Sequence, residues 1–483
     1  MTRCVAFFHR NSFHKDLFVS VGKVLRKKNG LEILHIHELG SLNGERVLQY
    51  EESIKKIWYD IDISYANLSN LEKEYPNSNL MRALYSEREY NFFPKYYKLK
   101  PISYDEQLKY LVGCFRVFEE CIEQNNVGCV ISDLPTGLPD VLHSICKKKG
   151  IEYISIRSSK LLKGFVLCDQ YHDLPTGMLD IYKKFLQNGI PDKYYELAKS
   201  HINELKSKIT MPSYMVVTGK PFKMMKMRRI QTLISMLRYS KNYINEVSRV
   251  KHPIRNSVLW NIHRFINIWR TKLNKPRWFC RWLTPDEKYF LFPLQYEPEA
   301  STFVRAFPFF NQMFIIQQIA KALPLGITLI VKEHKGNPGY RKSTFYRELQ
   351  YLPNVKLVDR ETELNSLITN SIGIITLTSR MGWEGLVLKK PVIALGTSFY
   401  TFFEEVKKPG SWMELKRMID ECVNNIDIDN KESDYDNKLL SYTAAYISLI
   451  QKGNYIPGSR GVFEEENISA IAKVLNERIV TTS

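Results

Sequence analysis

Short apolar runs alternate with amphipathic stretches in the first part of the chain. The runs at 4–8, 31–37, 127–132 and 152–156 have the length and composition of buried strands. Between them, 104–125 and 140–149 carry apolar residues at helical spacing, and a helix-like stretch extends to residue 28. Alternation of this kind predicts a parallel sheet with helices on both faces.

The same alternation returns in the second part of the chain. Strands are predicted at 289–292, 327–332, 355–358, 372–377 and 392–395, and helices at 310–323, 362–369 and 381–389. We therefore expect an α/β fold of two Rossmann-like domains facing each other across a cleft. The predicted boundaries are an N-terminal domain at 1–215, a basic helical linker at 216–285, a C-terminal domain at 286–410, and helices at 411–483 that pack back.

Composition agrees with a globular chain. Its 483 residues are 44% hydrophobic, which is enough to bury the cores of two domains. No apolar run reaches the roughly 18 uncharged residues of a membrane span, and charges interrupt the apolar N-terminus before it resembles a signal peptide. We expect a cytoplasmic protein. The eight cysteines are scattered, without metal-ligand spacing, and are expected to be reduced core thiols.

The positive charge is concentrated in one segment. Of the net charge of +18, +15 lies between Lys220 and Arg281, where sixteen Lys or Arg face the single acid Glu246. Trp, Phe and Met interleave these cations, which favours peripheral contact of 220–281 with the anionic inner face of the cytoplasmic membrane. A solvated face with a buried apolar stripe is the alternative. Nucleic acid is not expected as a partner, because no nucleic-acid-binding motif accompanies the charge.

Candidate chemistry follows the predicted strands of the second domain, because ligands of open α/β sheets bind at the carboxyl ends of the strands. Lys332 and His334 come directly after one strand, where a His can donate to a phosphate oxygen and a Lys adds positive charge. The alternative is a His that only fixes its own loop.

A second candidate anion site begins at Thr378 and Ser379, after another strand. Their hydroxyls, with Gly382, open a predicted helix whose amides attract anions. Glu384, about one turn into that helix, is placed to accept hydrogen bonds from ribose hydroxyls. Alternatively, Ser379 only caps the helix and Glu384 is exposed.

Three further residues share the loop after the strand 289–292. Gln295, Glu297 and Glu299 are spaced two apart and project to one side of an extended segment, where a carboxylate can act as a base or hold a sugar hydroxyl. Equally, Glu297 and Glu299 can be ordinary surface acids of the loop without a role in catalysis. Two Asp-x-Asp pairs, at 60/62 and 427/429, are taken as chance, so no metal and no cofactor is expected.

Several strings resemble the capsule polysaccharide synthesis family that includes bacterial Kdo transferases. They are FPLQYEPEAS, LIVKEH, LPNVKLV and IITLTSRMGWEGLVLKKPVIALG, followed by Phe399 and Tyr400. The family is similar to GT-B glycosyltransferases that use CMP-activated acidic sugars such as Kdo, an eight-carbon ketose. The resemblance implies that His334, Thr378 and Ser379 contact the donor phosphate and that Glu384 contacts the ribose. It places Gln295 and Glu299 at the catalytic cleft.

The sequence departs from the family pattern at Lys335, where the family has proline after the His. The resemblance identifies no catalytic base in the N-terminal domain. Asp133, directly after a predicted strand, is our candidate from its position alone. The alternative is that Asp133 only opens a turn. We expect a metal-independent transferase that moves an acidic sugar from a CMP-linked donor to a glycan or lipid-linked acceptor. The rival hypotheses are a nucleotide-sugar epimerase or hydrolase, and a non-catalytic polysaccharide-handling protein.

Overall fold

The fold is known from a computed structural model, which describes most of the chain. The described residues are 4–9, 12–38, 42, 44–76, 78–86, 102–132, 137–170, 172–207, 255–280, 284, 286–296, 300–336, 341–424, 432–456 and 459–481.

The N-terminal sheet has six strands. They are β1 (Cys4–His9), β2 (Ile33–His37), β3 (Val47–Gln49), β4 (Val127–Ser132), β5 (Glu152–Ser158) and β6 (Phe165–Cys168). Their order is β3-β2-β1-β4-β5-β6, and all neighbours are parallel except β5 and β6. Side chains of the central strand β1 alternate between two cores: Ala6 and Phe8 face one, and Val5 and Phe7 face the other. The predicted parallel sheet with two covered faces is confirmed.

Helices cover both faces of this sheet. They are α1 (Ser12–Asn29), α2 (Tyr50–Ile57), α3 (Tyr65–Glu74), α4 (Leu80–Tyr85), α5 (Tyr104–Gln124) and α6 (Gly137–Lys149). The longest, α5, begins at a capping box in which Ser103 accepts from the backbone N–H of Glu106 and the Glu106 side chain accepts from the backbone of Ser103.

The C-terminal sheet also has six strands, and all its described pairings are parallel. They are β7 (Tyr289–Pro293), β8 (Thr328–Lys332), β9 (Val355–Val358), β10 (Gly373–Thr376), β11 (Val392–Ala394) and β12 (Val406–Lys407). Their order is β12-β11-β10-β7-β8-β9. The second α/β sheet predicted from the sequence is therefore confirmed.

Eleven helices of the described chain follow α6. They are α7 (Met178–Asn188), α8 (Asp192–Ser207), α9 (Arg255–Trp278), α10 (Ala300–Phe303), α11 (Gln312–Ala322), α12 (Ser343–Leu349), α13 (Leu364–Thr369), α14 (Met381–Val387), α15 (Trp412–Asn424), α16 (Glu432–Ser448) and α17 (Glu465–Thr481). A short 3-10 turn lies at Phe399–Phe402.

The chain forms two compact units whose limits differ from the predicted domain boundaries. Residues up to Thr176 join those from Leu449 onward in the N-terminal unit, where α17 packs on α1. In the C-terminal unit, α7 and α8 both pack on α16. The helices α7 and α8, assigned from the sequence to the first domain, thus contribute to the unit that contains the second sheet.

The cysteines and the helix lengths bear on two expectations from the sequence. All eight cysteines are free thiols, and all are buried except Cys280, which is partly exposed. Within the described residues, no helix is both long enough and apolar enough to cross a membrane.

Candidate functional site

The predicted site residues of the second half converge on one edge of the C-terminal sheet. Gln295 follows β7, His334 follows β8, and Thr378 and Ser379 follow β10. Because β10, β7 and β8 are neighbours in a parallel sheet, their carboxyl ends lie side by side. The topology therefore brings these residues to one edge, as the sequence predicts.

A buried acid, Glu333, fixes the loop after β8. Its Oε2 accepts a hydrogen bond from the Tyr346 hydroxyl at 2.7 Å, and its Oε1 accepts from the backbone N–H of His334 at 2.7 Å. The same Oε1 lies 3.4 Å from Nε of Arg341, whose side chain is fully enclosed. Burial, together with the adjacent Glu333 carboxylate, holds the pKa of Tyr346 well above its ordinary value. The hydroxyl thus remains a donor, and Glu333 connects the start of this loop to Tyr346 and Arg341.

The same network reaches the loop after β7. The backbone N–H of Gln295 donates to Gln312 Oε1 at 2.7 Å, and the carbonyl of Gln295 accepts from the Arg341 guanidinium. The side chain of Gln295 is buried, and its Nε2 has no hydrogen-bond partner in the described part of the chain. Buried amides without partners are uncommon, so this one is a candidate for ligand contact.

His334 is held in a defined tautomer. Its Nδ1 accepts a hydrogen bond from the backbone N–H of Gly336 at 3.1 Å. A neutral imidazole that accepts at Nδ1 carries its proton on Nε2, so Nε2 is the donating atom. The ring also contacts Tyr296, with ring centroids 6.1 Å apart. The bond to Gly336 fixes the loop, as the alternative interpretation expects, and it also orients a donor.

Lys332 has a different environment from the one expected of a phosphate ligand. Its Nζ donates to the carbonyl oxygens of Asp359 and Arg360 at 3.1 and 3.2 Å. Burial, with the nearby Lys335 as a lesser cause, lowers the pKa of Lys332 to about 8. These contacts join β8 to the segment after β9, and a phosphate contact of Lys332 stays a prediction.

The loop between β10 and α14 uses much of its own hydrogen-bonding capacity. The N–H of Ser379 donates to Thr376 Oγ1 at 3.0 Å, and Ser379 Oγ accepts from the N–H of Met381 at 3.2 Å. The N–H of Gly382 donates to the Ser379 carbonyl, which also accepts from the Tyr400 hydroxyl at 2.6 Å. Ser379 Oγ therefore accepts from the first amide of α14, whose N-cap residue is Arg380, and three of the amides expected to bind an anion are engaged within the loop.

Two glycines allow the loops at this edge to approach one another. A Cβ on Gly382 would lie 2.6 Å from the Tyr400 hydroxyl, and a Cβ on Gly396 would lie 2.8 Å from Thr378 Cγ2. Both distances are below van der Waals contact, so side chains at these positions would displace the loop. Gly382 thus contributes through close packing, while its contact with a donor stays a prediction.

Glu384 is buried rather than exposed. Only 3% of its side chain is accessible, and burial raises its pKa to about 7. The neighbouring Arg380 opposes this rise, with its Nε 3.6 Å from Glu384 Oε1, beyond hydrogen-bond distance. The interpretation of Glu384 as a merely exposed surface acid is therefore wrong.

Sequence reasoning missed several residues of this region. Arg341, Tyr346 and Gln312 fix the loops but lie on segments that carried no site motif. His201, on α8, is buried near Arg380, because α8 packs against α14. The one available signal was Arg380 itself, an arginine set between the candidate phosphate residue Ser379 and the start of a helix.

The remaining predicted residues fall outside the described residues. Asp133 follows the last residue of β4, and Glu297 and Glu299 lie between β7 and α10. The part of the basic segment before Arg255 is likewise not described. Over the described ranges, no group of three His, Cys, Asp or Glu side chains is arranged to hold a metal ion.

Residues 193–403 match the family described as "Capsule polysaccharide biosynthesis protein". The resemblance inferred from the sequence is thus confirmed over a range that contains α8 and the loops after β7, β8, β10 and β11. No curated protein matches the chain.

Several solved structures are similar to this chain. The beta-Kdo 2,7 transferase KpsC of Thermosulfurimonas dismutans is 12% identical, covers 74% of this chain and 90% of its own, and has a TM-score of 0.36. A glycosyltransferase from Rickettsia africae is 10% identical, covers 100% of this chain and 98% of its own, and has a TM-score of 0.28. The UDP-GlcNAc 2-epimerase of Methanocaldococcus jannaschii is 12% identical, with coverages of 98% and 99% and a TM-score of 0.25.

Proposed function

We propose that this protein is a metal-independent glycosyltransferase of surface polysaccharide synthesis, which transfers Kdo or a related acidic sugar from a CMP-linked donor to a glycan or glycolipid. The observation that carries the proposal is the match of residues 193–403 to the capsule polysaccharide biosynthesis family. The arrangement of His334, Thr378 and Ser379 along one sheet edge supports it, since this is where an open α/β sheet binds ligands.

The donor phosphate is the group that these residues recognise in the proposal. When the glycosidic bond to the sugar breaks, negative charge increases on the phosphate oxygens, and hydrogen-bond donors fixed in advance stabilise that charge. His334 Nε2–H and the hydroxyls of Thr378 and Ser379 are the donors. Glu333 holds the backbone of His334 in place, so the donor is oriented before the substrate binds.

The acceptor requires a base. Asp133, Glu297 and Glu299 are the candidates, and one of these carboxylates takes the proton of the acceptor hydroxyl as the new glycosidic bond forms. The side-chain Nε2 of Gln295, buried and without a hydrogen-bond partner in the described chain, is proposed to donate to a sugar hydroxyl.

Contact with an anionic membrane is the second part of the proposal, and it suits a lipid-linked acceptor. On α9, Ile266, Trp269 and Leu273 are exposed by 37%, 53% and 72% and are spaced three and four residues apart. Residues at this spacing share one helix face. The cations Arg270, Lys272 and Arg277 are exposed on the same helix, and exposed apolar residues together with cations are expected of a helix that lies on anionic lipid.

Calorimetric titration of the purified protein with CMP, UDP and GDP, each with Mg²⁺ and with EDTA, tests the donor site. We expect selective binding of CMP that does not depend on metal. Binding of UDP or GDP in place of CMP would overturn the donor assignment, and the absence of nucleotide binding would favour a non-catalytic role.

Substitutions of His334 separate its two possible roles. A Gln side chain places its amide near the position of Nε2, whereas an Asn side chain places it near Nδ1. If donation to the phosphate matters, His334→Gln retains more CMP affinity than His334→Asn. The reverse order would show that His334 acts only by fixing its loop.

A further inference from the structure

A cluster of three buried titratable side chains lies next to the candidate donor site and has no role in the reaction as described so far. It consists of Arg380, which follows Ser379; Glu384, on α14; and His201, on α8. The residue His201 is 5% exposed, and the side chains of Arg380 and Glu384 are 13% and 3% exposed. The three are brought together because α8 packs against α14.

Two buried polar atoms of this cluster have no hydrogen-bond partner among the described residues. Nε of Arg380 and Nε2 of His201 are both buried without a hydrogen-bond partner in the described chain. The nearest carboxylate oxygen, Glu384 Oε1, lies 3.6 Å from Arg380 Nε, too far for a hydrogen bond. Buried polar groups are almost always paired in folded proteins, so these two atoms are candidates for contact with a ligand.

The charge of the cluster favours an anion as that ligand. Burial raises the pKa of Glu384 to about 7, so near neutral pH its carboxyl group is only partly ionised and does not fully balance Arg380. Burial raises the pKa of the nearby Tyr400 hydroxyl; a second cation, Arg305, lies close enough to oppose this rise, and Glu384 adds to it. Within the cluster, the charge of Arg380 is therefore not fully balanced by Glu384 near neutral pH.

We propose that Arg380 and His201 bind an oxyanion of the donor, with Glu384 as the partial counter-charge that orients the guanidinium. This inference rests on the proposed function, and it adds two residues that no motif assigned. Arg380 is the most accessible member of the cluster and contacts the ligand first. The donor has two candidate oxyanions, a tetrahedral phosphate and the planar carboxylate of the sugar. A guanidinium can bind either one through a pair of N–H groups. Both residues fall within the range matched by the capsule family.

A binding experiment with one matched control tests the inference. Calorimetry compares the wild-type protein with the variants Arg380→Ala and Arg347→Ala. Arg347 is an exposed arginine of α12, so its replacement removes the same charge at a different place. The probes are CMP, which supplies only the phosphate, and free Kdo, which supplies only the carboxylate. We expect Arg380→Ala to weaken binding of one probe by about 10- to 100-fold, the loss typical of a charged hydrogen bond, and Arg347→Ala to change neither.

The probe that responds identifies the oxyanion. Weakened CMP binding assigns the site to the phosphate, and weakened Kdo binding assigns it to the carboxylate. If the wild-type protein binds CMP, and Arg380→Ala binds each probe with the same affinity as the wild-type protein, the inference is overturned while the proposed function stands. If the wild-type protein binds neither probe, both are overturned.

A second variant and a second readout guard against a purely structural effect. The variant Arg380→Ala leaves Glu384 without its nearest cation, which can destabilise the protein. The double variant Arg380→Ala/Glu384→Gln avoids this, so its ligand affinity and its thermal unfolding midpoint are measured as well. The imidazole NMR signal of His201, assigned with His201→Gln, is followed during titration. We expect this signal to shift on ligand addition in the wild-type protein and not in the double variant; an unchanged signal in the wild-type protein would contradict the inference.

Discussion

The imidazole Nδ1 of His334 accepts a hydrogen bond from the backbone N–H of Gly336 at 3.1 Å. This contact assigns the proton of the ring to Nε2 and so defines which atom donates to a ligand. The bond orients the ring next to Lys335, the position at which the sequence departs from the family pattern.

We expect Gly336→Ala to disturb donor binding more than stability. A Cβ at this position would lie 3.2 Å from His334 Cε1 and 3.3 Å from Nδ1, so the ring must move by a few tenths of an ångström. Because Gly336 is exposed, the protein should unfold at nearly the wild-type temperature while CMP affinity falls by about 3- to 10-fold. Calorimetry and a thermal scan measure the two effects, and unchanged affinity would show that the ring position is unimportant.

The Glu333 network should contribute to stability as well as to the site. Tyr346→Phe removes one buried hydrogen bond at 2.7 Å, and we expect it to lower the free energy of unfolding by about 1 kcal/mol. Glu333→Ala leaves the enclosed Arg341 without its carboxylate, and we expect a loss of about 3–5 kcal/mol. Urea unfolding at pH 7 gives both values. Equal losses for the two variants would contradict the ranking.

The raised pKa of Glu384 predicts a pH-dependent stability difference. The folded protein holds this proton up to a pKa of about 7, whereas the unfolded chain releases it near the ordinary value of 4.5. Since the folded state binds more protons in this interval, stability falls as the pH rises from 4.5 to 7. Glu384→Gln cannot titrate, so its stability relative to wild type should increase by roughly 1–3 kcal/mol between pH 5 and pH 8.

Urea unfolding at the two pH values measures this difference. The exposed Glu348→Gln serves as the control, since it removes the same charge from the surface of the same unit. A difference between wild type and Glu384→Gln that does not depend on pH would mean that Glu384 is fully ionised at pH 5.

The exposed face of α9 predicts binding to anionic lipid. Replacement of both Trp269 and Leu273 by Ser removes two of its most exposed apolar side chains, and we expect the partition coefficient onto phosphatidylglycerol vesicles to fall by about 10-fold or more. Sedimentation with phosphatidylglycerol and with neutral phosphatidylcholine vesicles measures the partition. Equal binding to both lipids, or no effect of the double replacement, would count against a membrane contact.

Much of the fold could be predicted because its strands are buried on both faces. The strand β4 was predicted with its observed bounds, since six successive residues with little polarity indicate a buried strand. The three-residue β3 was missed because it is short and only partly buried. The grouping of α7 and α8 with α16 could not be predicted, because these contacts join segments more than 200 residues apart and leave no local sequence pattern.

The candidate site could be predicted in its position but not in its internal contacts. His334 and Ser379 were found because the loops after parallel strands meet at one edge, a rule that needs only the strand pattern. Glu333, Arg341 and Tyr346 were missed because their bonds depend on the folded path of the loop after β8. Likewise, the burial of Glu384 against Arg380 could not be read from the sequence.

The most direct test of the proposed activity is the release of CMP from CMP-Kdo in the presence of EDTA, measured by mass spectrometry with and without a glycolipid fraction as acceptor. The proposal predicts that release rises by about 10-fold or more when the acceptor is present, that a Kdo-extended glycolipid appears in equal amount, and that His334→Ala abolishes both. Release of CMP at the same rate without acceptor would identify a hydrolase instead, and the absence of any release or product would contradict the assignment as a Kdo transferase.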